Sequence, residues 1–280
     1  MKKLAITAIS CMMSGWISTA AATTILYNDF SDTSGLTLNG VTAALTPNAD
    51  NNLRLTNSTG QSGSAFSTNA IQLNNDASFS TAFNFNISKP INSGADGLTF
   101  ALQTVSNTAG GGGGGIGYAG IPNSVAIEFD TWNNGSVDGY SASHVGINLN
   151  GDINSVARAN VTPHLDANYS NDWFAWIDYN GVADLLEVRL AQVDLRPQLA
   201  ILSYTVDLAA VLGSTFGYAG FTSGTGWAGA QHDIVNWQFE SSYNPIDNVG
   251  QVPLPASLSL FLVGLLGLQM ARRRHKATAA

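Results

Sequence analysis

The stretch Val125–Asn150, VAIEFDTWNNGSVDGYSASHVGINLN, decides the fold. It opens with apolar residues at every second position, the pattern of a strand with one buried face. Glu128 and Asp130 share the other face, because side chains two apart on a strand project to the same side. A turn at Asn133-Asn134-Gly135 follows, and then a second alternating run headed by His144. The stretch therefore predicts two strands joined by a loop that gathers acids, an amide and an imidazole.

The acids of this stretch, Glu128, Asp130 and Asp138, repel one another if they converge, unless a positive charge lies among them. No Lys or Arg occurs between residues 90 and 157. Carboxylate, amide and carbonyl oxygens suit calcium, whereas an added His nitrogen suits a transition metal. These ligand types between two patterned strands favour a metal site; an acidic surface loop with a solvated His is the alternative.

The stretch resembles the metal-binding core of the legume-type (L-type) lectins. The shared motifs are V-A-I-E-F-D-T-W-x-N, an Asp eight residues after the first Asp, and H-V-G-I-N. The resemblance implies two ions, Ca²⁺ and a transition metal that is typically Mn²⁺. The implied calcium ligands are Asp130, Asn134, Asp138 and the Trp132 carbonyl. The implied transition-metal ligands are Glu128, Asp130, Asp138 and His144.

The rest of the chain predicts an all-β domain. The clearest further strand is Phe79–Ile87, where aromatic and apolar residues alternate with residues that include Ser and Asn. We expect its polar face to be half open to water. No segment before the C-terminal tail has a convincing helical period, so we predict a β-sandwich or jelly roll. The resemblance implies the concanavalin A-like form of this fold.

Two further motifs match the sugar site of the family. Ala95-Asp96-Gly97 opens an A-D-G-x-x-F motif, whose Asp accepts hydrogen bonds from two sugar hydroxyls. The resemblance implies this role for Asp96, with a cis peptide between Ala95 and Asp96. The glycine run 110–115 reads as a flexible linker by composition. The resemblance instead implies a backbone N–H donor to the sugar, from Gly114 or Gly115.

The resemblance completes the cleft with residues from two other loops. Asn134 would donate to a sugar hydroxyl, and the Trp132 ring would lie on the apolar face of the sugar. The G-F-T-S-G-T-G loop, with Thr225 and Gly226, corresponds to the segment that usually sets sugar preference.

Three functions follow from these motifs. The first is a non-catalytic, carbohydrate-binding lectin. The second is a glycoside hydrolase on the same sandwich, which would need paired carboxylates. Position 132, four residues after Glu128, is Trp and not an acid, which disfavours hydrolysis. The third is a structural surface or matrix protein, which leaves the Asp96, Gly115 and Asn134 set unexplained.

Both ends of the chain carry sorting patterns. Lys2-Lys3, an apolar run and Ala20-Ala21-Ala22 predict a signal peptide over residues 1–22; a lipoprotein signal at Cys11 is the alternative. Val252-Pro253-Leu254-Pro255, an apolar run and an Arg cluster resemble the PEP-CTERM signal of Gram-negative bacteria, with Leu254 where Glu is usual. That resemblance implies processing by an exosortase; an ordinary C-terminal hydrophobic membrane helix is the alternative.

The predicted organisation is a signal peptide over 1–22, a lectin-like sandwich over 23–244, a linker over 245–251 and a sorting segment over 252–276.

The charge balance limits the partners. Of 11 Lys and Arg residues, 2 lie in the signal peptide and 4 in the tail, which leaves 5 against 19 acids and a net charge of −14. This excess disfavours nucleic acid as a partner. We expect an exported protein, secreted or at the cell surface and transiently anchored, that binds glycans or exopolysaccharide. The sequence leaves the oligomeric state open, with a homo-oligomer as one option.

Overall fold

The alternating runs form strands in the computed structural model, which describes residues 22–108, 110–166 and 172–249. The strands are β1 Thr24–Tyr27, β2 Leu36–Gly40, β3 Leu53–Thr56, β4 Ser62–Ser67, β5 Ile71–Gln72, β6 Phe79–Ile91, β7 Gly97–Gln103, β8 Ser124–Asp130, β9 His144–Leu149, β10 Ala157–Asn160, β11 Trp173–Asn180, β12 Leu185–Ala191, β13 Leu202–Thr205, β14 Phe216–Gly224 and β15 Gly229–Glu240. The helices are short: α1 Thr42–Leu45, α2 Leu208–Leu212 and a 3₁₀ turn Gly113–Gly115.

The strands build two antiparallel sheets. The sheet that we call the back sheet has the order β1-β15-β6-β11-β12-β13, with β3 also paired to β15. The other, the front sheet, has the order β10-β9-β8-β7-β14-β4-β2, with β5 also paired to β14. This architecture confirms the predicted all-β sandwich.

Aromatic side chains from both sheets form the core between them. Phe83 and Phe85 of β6 in the back sheet meet Phe221 and Phe129 of the front sheet, with ring centroids 4.9 and 4.7 Å apart. Phe129 is fully buried, as its place in the alternation predicts. Because alternate side chains of β8 face this core, Glu128 and Asp130 point to the outer side of the front sheet.

The outer face of β6 is more buried than its sequence predicts. Ser80 is fully buried although it lies on the polar face. The chain after β15 crosses this side of the back sheet, where the Asn244 N–H donates to Ser80 Oγ at 3.0 Å. Farther along, Ile246 packs with Trp176. The expectation that the polar face of β6 is half open to water is therefore wrong, because the chain around Asn244 and Ile246 covers this side of the back sheet.

Among the described residues, none of the helices has the length and apolar character needed to cross a membrane. Residues 1–21 and 250–280 lie outside the described part of the chain. The signal peptide and the sorting segment therefore stay predictions.

Candidate functional site

The predicted site residues meet at one edge of the front sheet. Gly97, at the start of β7, pairs with Asp130 at the end of β8 and with Gly224 at the end of β14. Because these strands are antiparallel, two strand ends and one strand start meet at the same edge. Asp96 directly precedes Gly97, so its position follows from this register.

Hydrogen bonds on both sides hold the backbone of Asp96. Its N–H donates to Gly224 O at 3.2 Å, and its carbonyl accepts from Thr131 N at 2.9 Å. The Ala95–Asp96 peptide is cis, which confirms the prediction. At Gly97 φ is +142°, and a Cβ would lie 2.3 Å from a backbone carbonyl of β8. Only glycine fits there, so the close approach of β7 to β8 depends on it.

The Asp96 carboxylate is buried with an unused acceptor. The residue is 4% exposed, and its Oδ2 has no hydrogen-bond partner among the described residues. Burial raises the pKa of Asp96 to about 6; the backbone of Gly226 opposes the rise, and the charge of Asp138 adds to it. A buried acceptor without a donor is costly. The carboxylate is therefore suited to a ligand that brings hydrogen-bond donors.

The acids and the imidazole of the predicted metal site converge. Asp130 pairs in register with His144, because β8 and β9 are neighbours. Asp130, Asp138 and His144 are buried, and each offers a ligand atom within 4.8 Å of the others. Glu128 joins them, with Oε1 3.1 Å from His144 Nε2. The chain thus holds a candidate metal site of the predicted composition.

Three residues that the sequence analysis missed position Glu128. Asn148 and Ser155 donate to its two carboxylate oxygens, each at 2.5 Å. A Cβ on Gly146 would lie 2.3 Å from Glu128 Oε1, so glycine leaves the space that the carboxylate fills. Gly146 and Asn148 follow His144 at two-residue steps and so share its face of β9. That spacing is the signal that could have identified Gly146 and Asn148; Ser155 has no such signal.

The charges of the site are poorly balanced by the chain itself. Burial raises the pKa of Asp130 well above its usual range, and the charge of Glu128 raises it further. Burial also raises the pKa of Asp138, although Arg158 lowers it as a lesser influence. Arg158 lies just beyond the stretch without basic residues and donates to Val137 O at 2.7 Å. A bound cation would supply the positive charge that the cluster otherwise lacks.

The metal-site acids also hold the loop between β8 and β9. Asp130 Oδ1 accepts from the Trp132 N–H at 2.6 Å, and Asp138 Oδ2 accepts from the Asn134 N–H. The Asn134 side chain lies against the glycine run, since a Cβ on Gly114 would be 2.8 Å from Asn134 Nδ2. The loop therefore brings Asn134 from the acidic cluster to the predicted sugar cleft.

The glycine run is an ordered turn. The Gly117 N–H donates to Gly111 O at 2.6 Å, which closes the run on itself. Gly114 faces Asn134, whereas the Gly115 N–H donates to Gly112 O at 3.3 Å. Of the two predicted donors, Gly114 is the one that lies against Asn134.

The loop between β14 and β15 is held by the Thr225 side chain. Thr225 is 2% exposed; its hydroxyl accepts from Gln61 N at 2.9 Å and donates to Ser58 O at 2.7 Å. Its side chain therefore anchors the loop, and a sugar contact at Thr225 stays a prediction. Gly226 does reach the cleft, since a Cβ there would lie 3.7 Å from Asp96 Oδ2.

Two tryptophans lie on the loops around this edge. Trp132 is partly buried, beside the acidic cluster. Trp227 follows Gly226 directly and is 76% exposed. Trp227 ends the loop that the resemblance links to sugar preference, but no separate contact was predicted for its ring.

With this geometry in place, comparison with known families identifies the chain. The family model of the legume lectin domain matches residues 22–255. The chain belongs to the legume lectin family. The resemblance carried by residues 125–150 is thereby confirmed.

Plant proteins are among the relatives of this legume lectin. The leucoagglutinating phytohemagglutinin of Phaseolus vulgaris is 35% identical over 209 residues, which cover 68% of this chain and 74% of that protein. The L-type lectin-domain containing receptor kinase VIII.1 of Arabidopsis thaliana is 33% identical over 172 residues, 59% of this chain and 24% of the kinase. The match thus spans about a quarter of the length of that receptor kinase.

Solved lectin structures share the fold. A lectin from Bauhinia forficata in complex with GalNAc is 26% identical, with a TM-score of 0.67 over 79% of this chain and 98% of that one. The winged bean acidic lectin complexed with methyl-α-D-galactose is also 26% identical, with a TM-score of 0.66 over 80% of this chain and 99% of that one.

Proposed function

We propose that this legume lectin domain binds carbohydrate without catalysis, in the cleft around Asp96, and that binding depends on bound metal. The observation that carries the proposal is the buried Asp96 carboxylate, whose Oδ2 lacks a donor where Gly226 and the glycine run meet. A sugar ring presents hydroxyl donors to such an acceptor. Charge-assisted hydrogen bonds are stronger and more directional than neutral ones, which suits a small polar ligand.

Three neighbours complete the proposed cleft. Asn134 would donate from its side-chain amide, and the Gly114 backbone lies against that amide. The ring of Trp132 would lie on the apolar face of the sugar, since aromatic side chains combine a large apolar surface with a polar edge. Polar groups that fix orientation beside an aromatic surface are typical of small-ligand sites.

The residues present fit two metal ions. The transition metal, typically Mn²⁺, would be held by Glu128, Asp130, Asp138 and His144. Calcium would be held by Asp130, Asn134, Asp138 and the Trp132 carbonyl. The convergence of buried oxygen and nitrogen ligands within 4.8 Å supports this assignment. The ions would supply positive charge and fix the loop; the hydrogen bonds to the sugar come from the chain.

The alternative of glycoside hydrolysis has less support. Glu128 is 3% exposed, and both of its oxygens accept hydrogen bonds within the protein. A retaining glycosidase needs two carboxyl groups about 5–5.5 Å apart on either side of the scissile bond. The position that would supply the second acid is Trp132, and Asp130 belongs to the metal cluster.

The proposal extends to the ligand and the location. Two of the similar plant lectins are in complexes with GalNAc and methyl-α-D-galactose, so these sugars are the first probes. A natural ligand could be a foreign glycan or the cell's own exopolysaccharide. We further propose export through the signal peptide 1–22 and a cell-surface or secreted location in a Gram-negative bacterium. The segment 252–276 would anchor the chain until exosortase-type processing.

A glycan array with the purified protein, loaded with Ca²⁺ and Mn²⁺, tests the function. We expect binding to one class of glycan, and loss of that binding for Asp96→Asn. The control is Asp172→Asn, which removes an equal charge from an exposed position. Binding by Asp96→Asn at the level of the parent protein would refute the proposed cleft.

A further inference from the structure

Trp227 differs from the other tryptophans of the described residues. Trp173, Trp176 and Trp237 are buried, with exposed fractions of 4%, 0% and 0%, whereas Trp227 is 76% exposed. Single exposed apolar residues are common and need no special cause. Trp227 is distinguished by how its loop is held and by what lies beside it.

The backbone on both sides of the Trp227 indole is fixed. The Gly226 carbonyl accepts from Gly60 N at 2.9 Å, and the Trp227 carbonyl accepts from Asn92 Nδ2 at 2.8 Å. The next residue, Ala228, is 2% exposed. An exposed ring on an anchored backbone loses little conformational freedom when a ligand binds, which is the property of a pre-organised contact.

Trp227 follows a residue that lies next to the proposed sugar cleft. Gly226 is in contact range of Asp96, since a Cβ there would lie 3.7 Å from Asp96 Oδ2 and 3.8 Å from Gly113 Cα. The Cα of Trp227 is only about 3.8 Å farther along the chain. Trp227 therefore lies on the β14–β15 loop directly beside the proposed cleft, while Trp132 belongs to the β8–β9 loop.

We propose that Trp227 is a second stacking surface, for the sugar unit that follows the one held by Asp96. The preferred ligands are then oligosaccharides and not single monosaccharides. This inference rests on the proposed function, because it needs a first sugar unit at Asp96. The flat indole face suits the apolar face of a sugar ring, and its N–H can donate to a hydroxyl at the edge.

Calorimetric titration along ligand series tests the proposal. The probes are methyl glycosides of galactose, N-acetylgalactosamine, glucose and mannose, each with a disaccharide and a trisaccharide that end in the same unit. For the series that binds, we expect the trisaccharide to bind about 3- to 10-fold more tightly than the methyl glycoside. Trp227→Ala should remove this gain and leave the methyl glycoside unchanged, whereas Trp227→Phe should keep most of it.

A control variant separates stacking from a general loss of exposed aromatic surface. Phe216 is 50% exposed and starts β14, whereas the cleft is at the other end of that strand. Phe216→Ala should leave the whole ligand series unchanged.

The possible outcomes separate this inference from the proposed function. If Trp227→Ala keeps the gain, or weakens the methyl glycoside and the trisaccharide equally, the second stacking surface is refuted while sugar binding stands. If Asp96→Asn still binds the methyl glycoside, the cleft itself is wrong, whatever Trp227 does. If the parent protein binds none of the probes, both proposals fail.

Discussion

Replacing Asp96 by Asn should weaken sugar binding and stabilise the metal-free fold at the same time. The substitution keeps the shape of a side chain that is 4% exposed, but it removes the charge and one acceptor oxygen. Each charge-assisted hydrogen bond contributes about 1.5–3 kcal/mol. One such bond is lost and the other loses its charge assistance, so we expect a loss of about 2–4 kcal/mol, which corresponds to at least about 30-fold in affinity.

The stability change has the opposite sign because burial disfavours the ionised carboxylate. The pKa of Asp96 is raised from 3.8 to about 6 by burial, so folding costs free energy whenever the group is ionised in the unfolded chain. A shift of about two units corresponds to about 3 kcal/mol, fully expressed above pH 6 and absent below about pH 3.8. At pH 7 we expect the metal-free Asp96→Asn protein to gain about 1–3 kcal/mol in its free energy of unfolding. Near pH 3 the gain should vanish.

Calorimetric titration and chemical denaturation measure the two effects on the same preparations. Asp172→Asn, the exposed control, should change neither quantity appreciably. Parental affinity in Asp96→Asn would contradict the assigned cleft. A loss of affinity together with a loss of several kcal/mol in stability would also contradict the reasoning, because the substitution would then have damaged the fold.

Four other substitutions test the metal site and the core. Asp130→Ala should lose both ions and His144→Ala mainly the transition metal, which elemental analysis can measure; full metal occupancy in Asp130→Ala would exclude a shared ligand. Gly146→Ala places a Cβ 2.3 Å from Glu128 Oε1, so we expect this variant to bind the transition metal more weakly. Unchanged metal content would show that Glu128 can move without cost. His232 is fully buried, and burial lowers its pKa from 6.5 to about 3. Between these two pH values the His232 imidazole is therefore protonated in the unfolded chain and neutral in the folded one. The free energy of unfolding of the parent should therefore fall more steeply than that of His232→Gln from about pH 6.5 towards pH 3, by about 1.4 kcal/mol per pH unit. Equal slopes in denaturation series would refute a neutral buried imidazole.

Local patterns predicted which residues converge at the candidate metal site. Period-2 alternation places Glu128 and Asp130 on one face of β8, and the next alternating run places His144 across from Asp130. Both facts depend only on residues near each other in the chain. Asp96 is different, because its place beside Asp130 depends on the pairing of Gly97 with Asp130 between two strands. The family resemblance, and not spacing, supplied that prediction.

Contacts between distant parts of the chain could not be predicted from local patterns. The Thr225 hydroxyl bonds to Ser58 and Gln61, more than 160 positions earlier. Ser80 reads as a solvated face residue, but the chain near Asn244 covers it. Neither contact leaves a trace in local periodicity. The missed role of Asn148 had a local signal, its two-residue steps from His144, which was not used.

Calorimetry on metal-free and reconstituted protein tests whether sugar binding depends on the bound ions. The protein is stripped with a chelator, its metal content is checked by elemental analysis, and a glycan that the array identifies is titrated into it. We predict that the stripped protein keeps its β-sheet circular dichroism but binds the glycan at least 10-fold more weakly, and that Ca²⁺ with Mn²⁺ restores the affinity. Full affinity in protein shown to contain no metal would contradict the account.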